Sequence, residues 1–239
     1  MMRASPGFYP PFSFLGSCFA LRWSNRFVTA AHCVAGVPVD ELAVQNPVGG
    51  MISSVSWVEV HEIADIAVLA PGGGYMLGDD THPFWGVVHT WSLGEDFMAY
   101  GYPADVLGPE PDQPTERLFR GHYQRFMRYE SLLGYSYLAA EMSIPSPTGL
   151  SGGPLFRPGA HPMLVAMATE NLDSTTYLET VEIEERPGQR TEKRYERVIQ
   201  YGVALILSDV SEWLDTLIPP RDSADILSGP RNAPDRADA

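Results

Sequence analysis

The chain has 239 residues, 44% hydrophobic and 11% aromatic, with 22 Gly and 21 Pro. That is enough for one large domain or two small ones, and the abundance of turn formers points to short elements. A net charge of −14 repels phosphate and excludes nucleic acid and anionic membrane as expected partners; no apolar run approaches the roughly 18 residues that span a bilayer.

Residues 1–11 read as an N-terminal extension without an export signal, because MMRASPGFYPPFSFLGS carries one basic residue and has prolines where an apolar run belongs. A cytoplasmic location is expected. From residue 12, β-branched and aromatic runs alternate with turn signals: FSFLG, CFALRW, RFVTAA, SVSWVEV, IAVLA, GVVHTW and FMAYGY. These predict strands and an N-terminal β unit over 12–107. GPEPDQPTE at 108–116 reads as a linker. After it RLFRGHYQRF, SYLAAEM, PMLVAMAT and YGVALIL predict a C-terminal β unit over 117–218. Within that unit, two charged strand-like runs flank Arg-Pro-Gly-Gln and predict a long hairpin over about 173–200 that turns near Pro187 and Gly188. Its acidic arm faces a basic arm, so cross-strand pairing supports it, and it reads as a surface elaboration or as an exosite or lid. SDVSEWLDTLI at 208–218 is different: Ser208 is a plausible N-cap, and Val210, Trp213, Leu214 and Leu217 recur at helical spacing. One C-terminal helix is expected, followed by a disordered tail over 219–239.

Two cysteines, Cys18 and Cys33, are too few for a secreted disulfide framework and read as buried thiols. The six histidines never fall at ligand spacing beside cysteines or carboxylates, so no metal site and no cofactor is expected. Between Arg26 and Arg117 there is no Lys or Arg, while Asp40, Glu41, Glu59, Glu62, Asp79, Asp80, Glu95 and Asp96 all lie there. This is a solvated acidic face, or a surface that recruits a basic substrate or partner.

TGLSGGP at 148–154 surrounds one hydroxyl with residues that have little side chain. A serine hydroxyl is a poor nucleophile at neutral pH, so acyl transfer needs a base for its proton and donors for the oxyanion. Without a Cβ, Gly149 can turn its N–H toward the same point as the N–H of Ser151. Taken alone, the segment also reads as a tight turn between strands. In VTAAHC, His32 follows a β-rich run, where an imidazole can project into a cleft or simply serve the structure. In HEIADIAVL, Asp65 precedes an apolar strand; it reads as a strand-end turn or as the carboxylate that fixes an imidazole's tautomer.

VTAAHC, DIAVL and GLSGGP, in the order His, Asp, Ser, closely resemble the three signature segments of the chymotrypsin-like (trypsin-like) serine proteases. GSCFAL at 16–21 resembles the strand before the histidine. AYGYP at 99–103 resembles the GYP segment of the bacterial trypsin-like and HtrA-like branch, and GVALILSDVSEWL resembles the closing strand and helix. The resemblance covers about residues 12–218. It implies an all-β fold of two packed six-stranded antiparallel β-barrels with a C-terminal α-helix. It also implies roles: Ser151 as nucleophile, His32 as general base and acid, Asp65 as its orienting acid, and the N–H groups of Gly149 and Ser151 as oxyanion hole. Asp40 and Asp173 fit the acid's pattern less well, and His61 reads as a structural or surface histidine. Substrate-binding residues implied are Pro145 and Thr148 before the nucleophile, Thr169, Glu170 and Asn171 on the substrate-edge strand, and Gly202 on the pocket wall. Leu150 stands where digestive relatives carry the acid that pairs with a processed N-terminus, so zymogen cleavage of that kind is not expected. Proline at 145 implies an uncharged, apolar or small residue at the cleavage position. Cys18 does not align with the position that bridges to the cysteine after the family histidine.

The expected activity is therefore that of a serine endopeptidase of restricted specificity, acting on a protein or peptide substrate, with a regulatory protein partner as a possibility. A catalytically silent binding module on the same fold, or an esterase-like hydrolase, are the alternatives.

Overall fold

In the computed structural model, the described residues are 2–4, 12–20, 25–45, 52–72, 91–104, 115–159, 163–186 and 189–217. The first half contributes β1 (Met2–Ala4), β2 (Phe12–Phe14), β3 (Phe19–Ala20), β4 (Phe27–Thr29), β5 (Leu42–Gln45), β6 (Ile52–Val60) and β7 (Ala67–Pro71). They form one seven-stranded antiparallel sheet in the order β2-β1-β5-β6-β7-β4-β3. The remaining strands are β8 (Asp96–Gly101), β9 (Arg117–Glu130), β10 (Ser136–Met142), β11 (Pro154–Arg157), β12 (Met163–Arg186) and β13 (Gln189–Ile206). These close into a six-stranded barrel in the order β10-β13-β12-β11-β8-β9.

The all-β architecture and the second barrel are as expected. The first half differs in detail: among the described residues its sheet is open and has seven strands. The seventh comes from the expected N-terminal extension, where β1 pairs with both β2 and β5. The boundary at 107/108 also does not separate the two sheets, because β8, assigned in sequence to the first half, lies between β9 and β11. Most of GVVHTW, most of the 108–116 linker and the 219–239 tail lie outside the described residues.

Local sequence explains the strands that matter for the site. β4 and the first four residues of β7 are buried throughout, as a continuous apolar run must be when both faces are covered. In β8 the pattern alternates instead, with Phe97, Ala99 and Gly101 inside. Phe97, Tyr123, Met142, Leu150 and Leu155 fill the second barrel. A second cluster joins Val28, Ile66 and Leu69 of the first sheet to Tyr137, Met167 and Leu205 of the barrel and to Val210 and Leu214 near the C-terminus, so one core spans the junction. Burying each such side chain contributes about 2 kcal/mol.

The C-terminal helix forms, but later than expected. A 3-10 turn over Leu207–Val210 precedes α1 (Ser211–Leu217), and no side chain caps that turn. Asp209 anchors it instead, accepting the N–H of Leu138 at 2.9 Å and Arg128 Nη1 at 3.2 Å. The long hairpin also forms: β12 and β13 pair in register out to Arg186 opposite Gln189, leaving 187–188 between them. Both cysteines are free thiols, Cys33 buried and Cys18 half-buried.

Candidate active site

His32 lies in a 3-10 turn, Ala31–Cys33, directly after β4. Val28, Ala30 and Ala31 are fully buried on either side of the turn's start, so the sequence alternates small packed residues with one imidazole left a quarter exposed. Asp65 ends the loop between β6 and β7 and is 1% exposed. Its carboxylate accepts twice from the same residue: the His32 N–H at Oδ1 (2.9 Å) and Nδ1 at Oδ2 (2.7 Å). This grip fixes the ring's orientation and keeps a proton on Nδ1, so that Nε2 is the acceptor whenever the ring is neutral. Burial is the largest single influence and opposes the imidazolium, but the hydrogen bonds and charges of Asp65 and Cys33 together outweigh it, and the pKa is raised to about 10.

The loop that presents Asp65 is shaped by His61. Its Nδ1 accepts the N–H groups of Ile63 (3.1 Å) and Ala64 (2.9 Å), and its ring meets Trp213 edge-on at 5.0 Å. Of the two readings, structural or surface, these contacts are those of a structural residue. Asp40 sits exposed in a separate 3-10 turn, and Asp173 is exposed on β12 with Gln200 donating to it at 3.1 Å.

Ser151 sits in the turn between β10 and β11, and the seam between the halves runs past it. The Ser151 carbonyl accepts the Ser17 N–H at 2.9 Å and contacts Cys33 Sγ at 3.8 Å. Gly152 has φ +85°, and a Cβ there would collide with the Ser17 carbonyl and the Thr29 hydroxyl and lie 3.1 Å from Ala30 N. The serine turn is thus packed directly against the residues leading into His32. The Ser151 hydroxyl donates to the Thr169 carbonyl at 2.6 Å. That carbonyl is available because Thr169 is the extra residue of a bulge, with Ala168 opposite Ala204 and Glu170 opposite Val203. The Thr169 side chain turns inward, donating to Val203 O at 2.9 Å and accepting from Tyr137 at 3.0 Å.

Gly149 has φ +91° and is crowded by Tyr102 O and Ala104 N, which a side chain would strike at 2.6 and 2.9 Å. Only glycine fits there. Leu150 and Gly152 N–H groups are committed to Pro147 O and Ala168 O. Those of Gly149 and Ser151 take no acceptor among the described residues.

The substrate-binding expectations divide. Pro145 and Thr148 lie exposed in the segment before the turn. Asn171 is not free to meet a ligand: its Oδ1 accepts Ser146 N at 2.6 Å and its Nδ2 donates to Ser146 O at 2.7 Å, clamping the segment to β12. Gly202 faces the same segment, donating to Ile144 O at 2.9 Å, and a Cβ would strike Met142 and Ser146 N. Glu170 is half-buried; burial raises its pKa, with Ser131 and Tyr137 as hydrogen-bond partners and Asp65 and His32 nearby. Sequence reading missed Ser17, whose role depends on partners over 80 residues away, and the Asn171–Ser146 clamp.

No protein-family model matches the sequence, and no curated protein matches it. Solved structures do. The chain is similar to the active form of the Rv3671c protease from M. tuberculosis, with TM-score 0.58 and 16% identity over 86% of this chain and 74% of that one. The HtrA-type protease AlgW with decapeptide gives TM-score 0.56 and 18% identity, covering 91% and 62%. The MamO protease domain from Magnetospirillum magneticum gives 0.55 and 13%, covering 83% and 87%. The chain therefore has the chymotrypsin-like fold of the trypsin-like serine proteases.

Proposed function

We propose that the protein is a serine endopeptidase. The observation that carries this reading is the convergence across the seam: an imidazole gripped by a buried carboxylate, beside a serine turn with two N–H groups that take no acceptor among the described residues. In the proposed cycle the Ser151 hydroxyl leaves Thr169 O by rotation about χ1 and donates to His32 Nε2. His32 takes the proton as Ser151 attacks the scissile carbonyl, and Asp65 stabilises the imidazolium. The N–H groups of Gly149 and Ser151 hold the oxyanion. His32 then protonates the leaving amine, and water releases the acyl group by the same steps.

Leu150 is buried in the barrel core, which supports activity without an N-terminal ion pair. For specificity, the uncharged Pro145 before the turn, with Gly202 crowded by Met142 and the Ile144 carbonyl, supports a small or apolar, uncharged residue at the cleavage position. The Thr169–Asn171 edge would pair with an extended peptide backbone, flanked by Pro145 and Thr148. The described residues hold no group of His, Cys, Asp and Glu suited to a metal, and the chemistry needs none. No helix among them is long and apolar enough to cross a membrane. Two free thiols suit a reducing compartment, and we assign the protein to the cytoplasm.

A fluorophosphonate probe tests the reading. The wild-type chain should label, and Ser151→Ala and His32→Ala should not; labelling that survives in Ser151→Ala overturns it. An unlabelled wild-type chain would leave the binding-module alternative, and hydrolysis of small esters but not of a peptide library would leave the esterase.

A further inference from the structure

We infer that Ser17 is a positioning residue that sets the oxyanion-binding turn from across the seam; the inference rests on the protease reading. Ser17 is 1% exposed, and all its polar atoms are engaged. Its hydroxyl donates to Gly149 O at 2.7 Å and accepts the Tyr102 N–H at 3.0 Å. Its N–H donates to Ser151 O at 2.9 Å, and its carbonyl accepts the Thr29 hydroxyl at 2.8 Å.

The consequence follows from peptide planarity, which points each N–H opposite its own C=O. Four successive peptides make the turn. In the first, Thr148 O accepts Ala104 N–H at 2.7 Å, so the Gly149 N–H points away from that contact. In the third, Leu150 O accepts Gly153 N–H at 2.7 Å, and the Ser151 N–H is likewise turned outward. The second and fourth peptides alternate with these, and their carbonyls, Gly149 O and Ser151 O, are the two that Ser17 holds. A rotation that aimed the Gly149 or Ser151 N–H elsewhere would drag a neighbouring carbonyl off Ser17. Ser17 therefore holds the two donors convergent, although it touches neither. It also links them to β4, since Thr29 lies three residues before His32. Nucleophile turn and general base are thus registered through one side chain.

Ser17→Ala removes the hydroxyl and leaves Tyr102 N–H and Gly149 O without their partner. The expected result is a kcat lowered by about 10- to 100-fold with KM within about twofold, less than the full loss of an oxyanion donor. Affinity for a peptide boronate, which develops the tetrahedral anion, should fall in the same proportion. Ser17→Cys, with a weak donor of similar size, should recover part of both. A raised KM with unchanged kcat, or unchanged boronate affinity, overturns the inference. Two readouts separate it from the protease reading and from misfolding. Amide hydrogen exchange at Leu150, Gly152 and Gly153, whose N–H groups are bonded in the turn, should quicken in Ser17→Ala while the amides of β7 stay protected, and this holds whether or not the chain is an enzyme. Unchanged exchange at the turn overturns the inference even where the wild type labels with fluorophosphonate. Where Ser17→Ala does not fold, Ser17→Cys carries the same comparisons.

Discussion

The imidazole of His32 is held between burial, which opposes its charge, and the Asp65 carboxylate and Cys33, which together favour it and prevail. The sign has consequences for both rate and stability. In the proposed role His32 acts as base only when neutral, so a pKa raised from 6.5 to about 10 should make kcat/KM climb with pH across that interval. A profile already flat above pH 7 would show that the imidazole is not raised this far, and would leave its role as base to the His32→Ala test. For stability the direction reverses: the folded-state pKa lies above the unfolded one, so the pair's contribution is complete below pH 6.5 and is lost as pH rises through about 10. Denaturant unfolding at pH 6, 8 and 10 measures this. Asp65→Asn should lower the His32 pKa and still reduce kcat by on the order of 10⁴, because the wrong nitrogen then carries the proton.

At the scale of elements, the loop from His61 to Ile66 shows how a site is built from an unremarkable stretch of chain. His61 N donates to Ile66 O at 3.0 Å, and Nδ1 gathers the Ile63 and Ala64 N–H groups, which bends the chain so that Asp65 turns inward. Accepting two bonds requires an unprotonated Nδ1, and burial lowers the His61 pKa in keeping with that. The stability it contributes is present above pH 6.5 and is lost as pH falls through the lowered value, opposite to His32. His61→Ala should cost about 1–2 kcal/mol in denaturant unfolding at pH 7.5, and that difference should shrink toward pH 5. A constant difference would assign the effect to ring packing on Trp213 alone. In sequence His61 was legible only as a structural or surface histidine; which N–H groups it gathers was not. Long apolar or alternating runs such as IAVLA and FMAYGY were legible because burial on fixed faces leaves a period. β1, β5 and β11 were not: three or four residues carry no period, and β11 starts at a proline. The segments around His32, Asp65 and Ser151 were readable because each is a short local pattern of restricted residue types. Ser17, Asn171 and the bulge at Thr169 act through partners that only the closed fold supplies.

Across the whole molecule, the two halves meet in a core that continues from β4 and β7 into β10, β12 and β13, and the site sits on that continuity. The ribbon beyond it is built differently. From Asp173 opposite Gln200 to Arg186 opposite Gln189, β12 and β13 pair with each other for about 40 Å, whereas the barrel-closing pairs with β10 and β11 involve only residues 163–167 and 203–205. Closure therefore does not require the ribbon, and a two-stranded ribbon by itself adds little stability. Deleting residues 176–197 and joining Thr175 to Val198, which are paired, through Asn-Gly keeps the register and supplies a favoured two-residue turn. The shortened chain should unfold within about 3 °C of the full one and keep its fluorophosphonate labelling rate. Cleavage of a short peptide should be unchanged. Loss of cleavage on a folded protein substrate alone would identify the ribbon as an exosite, whereas a collapse in stability would show that the barrel depends on it after all.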